Sequence, residues 1–128
     1  MAAQLNYEAY NQYCGSLPAT TYVNQWGGAH VWKVGGKVFA IGGWSTAEGL
    51  AVSFKVSPYN FDVLKDQPGF KPAPYLASRG MKWIQQYNVT KDHEDELQYY
   101  IKESHRIVSL GLTKKSQKEL GINQDPIK

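Results

Sequence analysis

A chain of 128 residues, 42% apolar and 20% charged, has the makeup of one globular domain rather than a disordered segment. Its formal charge of +3 is mild and uneven: residues 1–90 carry seven basic against four acidic side chains, whereas the remainder carries seven of each. Cys14 is the only cysteine, which excludes an internal disulfide, and no uncharged apolar run is long enough to span a bilayer.

The first predicted element is a helix over residues 6–14. Asn6 suits its N-cap, Leu5, Ala9 and Tyr13 recur at helical spacing, Gly15 suits a left-handed position after its end, and Pro18 bars continuation. The period then drops to two. Thr20-Thr21-Tyr22-Val23 is β-branched and aromatic, as strands prefer. The runs 30–34 and 37–41 flank Gly35-Gly36, a pair that tolerates the positive φ of a two-residue hairpin turn. That loop sets Val34 opposite Lys37, Trp32 opposite Phe39 and His30 opposite Ile41 on one face, with Val31, Lys33, Val38 and Ala40 on the other.

After a second loop, 42–49, the run 50–56 alternates cleanly. Leu50, Val52, Phe54 and Val56 face inward, and Ala51, Ser53 and Lys55 face outward or toward a partner. Ser57 as N-cap and Pro58 at the first helical position open a short helix that Pro68-Gly69 ends. The segment 68–80, rich in Pro and Gly, is irregular or extended, and 81–87 forms a further strand. A long helix begins near residues 90–92, where Asp92, Glu94, Asp95 and Glu96 complement its dipole. Leu97, Ile101, Ser104 and Val108 make its buried stripe, and Gly111 ends it. The resulting fold is α+β: an N-terminal helix, an antiparallel β-meander, a short helix, further strands and a long C-terminal helix packed on the sheet. One domain covers 1–121, with a frayed tail at 122–128.

Chemistry-bearing motifs are sparse. His30, His93 and His105 are far apart and match no metal-ligand spacing, and Cys14 has no CxxC partner. Ser104 and His105 are adjacent on a helix, where neighbours diverge by about 100°, so they make no nucleophile–base pair. Gly35-Gly36-Lys37 lacks the spacing of a phosphate loop and opens no helix. No catalytic residue, metal site or cofactor is therefore expected. The N-terminal residues lack the features of a secretion signal, which points to a cytoplasmic protein with no membrane role.

What remains is a set of basic residues interleaved with aromatics. Lys33, Lys37 and Lys55 lie on neighbouring strands or at a hairpin tip; Lys71, Tyr75, Arg79, Lys82 and Trp83 lie in or beside the proline-rich segment. Lysines on projecting hairpins can straddle phosphates while ring planes stack on bases or line a groove.

The ordered pieces Ser16-Leu17-Pro18, Trp26-Gly27, 33–40, 53–56 and Pro58 resemble the MmcQ/YjbR family, as do 68–76, Trp83, the helix containing Ser104 and the tail Leu112-Thr113-Lys114-Lys115. The likeness extends over residues 6–121, although 78–82 departs from the family pattern. It implies a bacterial α+β protein similar to the bacterial frataxin homologue and a "double wing" DNA-binding role. It also implies functional positions at Lys37 after the hairpin, Lys55 on the third meander strand, and Tyr75, Arg79 and Trp83 around the proline-rich crossing. Iron binding does not follow from the fold, because the first helix offers only Glu8. The expected function is a monomeric, non-catalytic DNA-binding module: Lys33, Lys37, Lys55, Lys71, Arg79 and Lys82 contact phosphates, and Tyr75 and Trp83 shape a groove. The alternative is a protein- or small-ligand-binding module using an aromatic groove around Trp44, Tyr75 and Trp83, favoured if a concave apolar pocket forms there with Lys55 or Arg79 converging on it.

Overall fold

The computed structural model describes residues 5–43, 49–74, 76 and 80–124, and its elements follow the predicted order. Helix α1 (Tyr7–Ser16) leads into strands β1 (Thr20–Gln25), β2 (Ala29–Val34), β3 (Lys37–Gly42) and β4 (Leu50–Lys55). Helix α2 (Pro58–Leu64), the edge strand β5 (Phe70–Pro72) and strand β6 (Trp83–Val89) come next. A 3-10 turn at Lys91–His93 opens the long helix α3 (Glu94–Leu110), and α4 (Lys114–Leu120) follows it. The strands form one antiparallel sheet in the order β1-β2-β3-β4-β6-β5.

Local chemistry explains most boundaries. Asn6 Oδ1 accepts from the Ala9 amide at 2.9 Å, and Ser57 Oγ accepts from the Asn60 amide at 3.1 Å with Pro58 opening the helix. Gly15 does not occupy a left-handed position: α1 runs on to Ser16 and ends with extended Leu17. Glycine is needed there for room, since a Cβ would stand 3.1 Å from the rim of the Trp32 ring. Within the segment 68–80, expected to be irregular or extended, Phe70–Pro72 is extended and pairs with β6 as the sheet edge, where Pro72 is tolerated.

The Gly35-Gly36 hairpin forms as expected at its tip, with Val34 opposite Lys37, but the register slips between Trp32 and Lys33. Trp32 faces Ala40 and His30 faces Gly42, one residue beyond the regular pattern. A β-bulge places two residues of one strand against one of its partner, so both Phe39 and Ala40 turn toward the helices. Ile41, expected on the same face as Phe39, lies on the other one with Val31 and Val38.

Helices α1 and α3 pack on one face of the sheet. The main core there joins Tyr10 and Cys14 of α1 to Phe39, Leu50, Val52 and Phe54 of the sheet and to Leu97, Ile101 and Val108 of α3. Burial of each such large side chain contributes about 1.5–3 kcal/mol. Ile122, assigned by sequence to the frayed tail, is buried in this core, and Asn123 donates to Ser109 Oγ at 2.9 Å. The packed domain therefore extends past 121.

The opposite face is not open to solvent along its middle. Ala51 and Ser53, expected to face outward or toward a partner, are fully buried, and a second small cluster gathers Ala29, Val31, Ile41, Ala73 and Trp83. The chain between β5 and β6 crosses this face: the Ala73 amide donates to the Trp83 carbonyl, and the Val56 amide to the Lys82 carbonyl, each at 3.0 Å. Beneath it Gln85 Nε2 donates to Ser53 Oγ at 3.4 Å and to the Gly43 carbonyl at 3.3 Å, which provides partners for buried polar groups.

Candidate binding groove

Strand alternation decides which side chains reach the face away from the helices. Phe54 and Ile84 point to the main core, so their neighbours Lys55 and Trp83, paired across β4 and β6, point outward. Val38 and Ile41 bring β3 to the same face, the bulge having shifted Ile41 there. The β5–β6 crossing adds Leu76 and Met81. Between these walls lies a groove of about 540 Å³, with Trp26 of the β1–β2 turn and Val108 of α3 also reaching it.

Among the described residues its charge comes from Lys37 and Lys55. Lys37 is the first residue after the Gly-Gly turn and is exposed, whereas Lys55 is half-buried. The backbone of Lys55 is fixed from the helical side: its amide donates to Ser104 Oγ at 2.8 Å, and that hydroxyl donates to the Phe39 carbonyl at 2.6 Å. One buried serine of α3 thus ties together the two strands that carry the groove. Among the described residues neither lysine has a carboxylate within ion-pair distance; the ion pairs there are Lys65–Asp62, His93–Glu96 and Arg106–Glu103.

Two tryptophans shape the groove differently. Trp83 is only 4% exposed, and its Nε1 is buried without a hydrogen-bond acceptor among the described residues. A buried donor without a partner costs about 1–3 kcal/mol. Trp26 is 48% exposed with φ 55°, a left-handed conformation that bulky residues rarely adopt. The flanking Gly27 and Gly28, both at positive φ, continue the tight turn that holds it.

The other expected cations do not join this site. Lys33 sits half-buried on β2 opposite Val38. Lys71 places Nζ 5.6 Å from the Tyr87 ring centre, and Lys82 places Nζ 4.8 Å from that of Phe61, a ring that packs against the main core. Tyr75, Arg79 and Trp44 lie outside the described residues. Leu76, Met81, Val38 and Ile41 were not singled out by sequence as site residues. Their only signal was that they are apolar residues near the lysines, and the bulge hid the face of Ile41.

The perturbed titrating groups lie elsewhere. Burial pushes the Cys14 thiol and the Tyr10 phenol up, and both belong to the α1 side of the core. Among the described residues no group of three or more His, Cys, Asp or Glu side chains is placed to hold a metal ion, and no helix is long and apolar enough to cross a membrane.

A YjbR family profile matches residues 15–107, a span that includes α1's end, the whole sheet and most of α3. The chain belongs to the YjbR family. No curated protein matches it significantly. Among solved structures it is similar to the Deinococcus radiodurans protein DR2400, described by its DUF419 domain, at 24% identity and a TM-score of 0.77, over 98% of this chain and 94% of that one. The likeness establishes the α+β fold of this YjbR domain.

Proposed function

We propose that this YjbR-family domain is a non-catalytic binding module whose site is the outer-face groove and whose ligand is small. The observation that carries this reading is the apolar concavity itself, walled by Val38, Ile41, Leu76 and Met81, floored by Trp83 and entered by Lys37 and Lys55. Its volume of about 540 Å³ falls in the range of roughly 300–1,000 Å³ typical of small-molecule sites, which combine apolar walls with a few placed polar groups.

The family's suggested DNA-binding role draws on the same two lysines but needs more. Duplex binding rests on a row of cations that neutralises successive phosphates. Lys71 and Lys82 lie instead over separate aromatic rings on different parts of the fold, which favours the groove reading over a broad phosphate-binding face.

Two titrations on one sample test the choice. Neutral apolar fragments such as benzyl alcohol, followed by chemical-shift mapping, are expected to perturb Val38, Ile41, Leu76 and Trp83 together. A short DNA duplex is expected to show no saturable binding at physiological salt. Fragment shifts scattered away from the groove, or tight duplex binding with a steep salt slope mapped to Lys33, Lys71 and Lys82, would reverse the assignment.

A further inference from the structure

We propose that the groove's ligand is a small amphipathic anion, an alkyl carboxylate whose head lies between Lys37 and Lys55 and whose hydrocarbon body covers Trp83. The inference rests on the groove being the binding site and adds the chemical class of its occupant.

Three features converge on that class. First, Lys37 and Lys55 bring two like charges to one apolar concavity, and among the described residues neither has a carboxylate within ion-pair distance. A bound anion offsets two like charges held at one site. A carboxylate has two oxygens and accepts from two lysines at once. Second, the remaining walls are mainly aliphatic, which suits a hydrocarbon chain better than a sugar or a phosphate backbone. Third, the Trp83 ring is part of the groove lining, an apolar surface that a hydrocarbon body covers.

The topology argues for a free small molecule over a peptide. Strands β3, β4 and β6 contribute to the groove, and all three are interior strands with partners on each side. Peptides that bind sheets do so by adding to an unpaired edge, where main-chain groups find hydrogen bonds. A peptide in this groove would leave its own amides without ladder partners, whereas an alkyl chain has none to satisfy.

The test compares three probes of equal length, octanoate, octan-1-ol and octylammonium, by calorimetry and chemical-shift mapping on the full chain. Octanoate is expected to bind saturably at the groove, octan-1-ol at least about tenfold more weakly, and octylammonium not at all. Lys37→Gln combined with Lys55→Gln is expected to lower octanoate affinity to that of octan-1-ol while leaving octan-1-ol binding unchanged. Both lysines reach solvent, and an unchanged amide spectrum reports that the variant is folded. Equal binding of octanoate and octan-1-ol in the groove would overturn the anionic head while leaving the groove reading intact. Absence of any groove perturbation with all three would overturn both. A peptide with a free leucine carboxylate that binds tighter than octanoate would reassign the groove to protein C-termini and so refute the alkyl ligand.

Discussion

Ser104→Ala isolates the single side chain that couples the helical layer to the groove. In the native protein its hydroxyl accepts from the Lys55 amide at 2.8 Å and donates to the Phe39 carbonyl at 2.6 Å, at a position with no solvent exposure. The β3–β4 ladder pairs Ala40 with Phe54 but does not continue to Phe39 and Lys55, so the serine bridges the strands where their direct pairing stops. Each hydrogen bond contributes about 1 kcal/mol net, and a buried backbone group left without a partner costs about 1–3 kcal/mol. Loss of the bridge should therefore cost about 2–4 kcal/mol, corresponding to a fall in Tm of roughly 8–16 °C for a domain of this size. Urea unfolding at constant m-value measures this directly. The Lys55 amide resonance should also shift more than those of Leu50 or Val52. A loss below about 0.5 kcal/mol would show that the bridge carries no load and that Lys55 is positioned by the sheet alone, since ordinary surface changes stay within that range.

Three further outcomes follow from the same structure. At the hairpin tip, Gly35→Ala should destabilise by about 2–3 kcal/mol and Gly36→Ala by about 1 kcal/mol. Both have positive φ, but a Cβ at Gly35 would stand 2.6 Å from Leu112 Cδ1, whereas one at Gly36 meets nothing within 4 Å; equal losses in denaturant titrations would contradict this. Asn6→Ala should cost about 1 kcal/mol by removing the acceptor for the Ala9 amide, and unchanged stability would remove the N-cap from the account of α1. Burial holds the Cys14 thiol above its ordinary value of 9.0, so the unfolded chain releases this proton first; the stability that follows is complete below about pH 9 and falls as pH rises beyond it. Tyr10, raised by the same burial, adds to the loss at higher pH. Cys14→Ala should flatten the alkaline arm of the stability profile, and an identical arm in the variant would refute the assignment.

The elements that local chemistry specifies were legible in the sequence. Asn6, Ser57-Pro58, Gly35-Gly36 and the Leu97-Ile101-Ser104-Val108 stripe each carry a local signal, and each lies where that signal placed it. What escaped depends on contacts between distant residues. Period-two reading cannot anticipate a bulge, so Ile41 was assigned to the wrong face, and with it one wall of the groove. Ala51 and Ser53 alternate with the inward residues and so read as facing outward or toward a partner; both are fully buried, a tertiary fact with no local mark. Lys55 and Trp83 were named from charge and aromaticity, but their adjacency follows only from β4 pairing with β6, strands separated by α2 and β5. Lys71 and Lys82 were grouped with them by nearness in sequence, and the fold sends them to other rings.

The most direct test of the groove assignment is the indole N–H resonance of Trp83 during an octanoate titration. Trp32 supplies an internal control, because its Nε1 donates to Asn11 Oδ1 at 2.9 Å on the helical side of the sheet, whereas Trp83 lines the groove. The expected result is a saturable shift of the Trp83 indole resonance with the calorimetric Kd, while the Trp32 signal stays in place. A Trp83 signal that does not move while octanoate binds would place the ligand elsewhere and contradict the account.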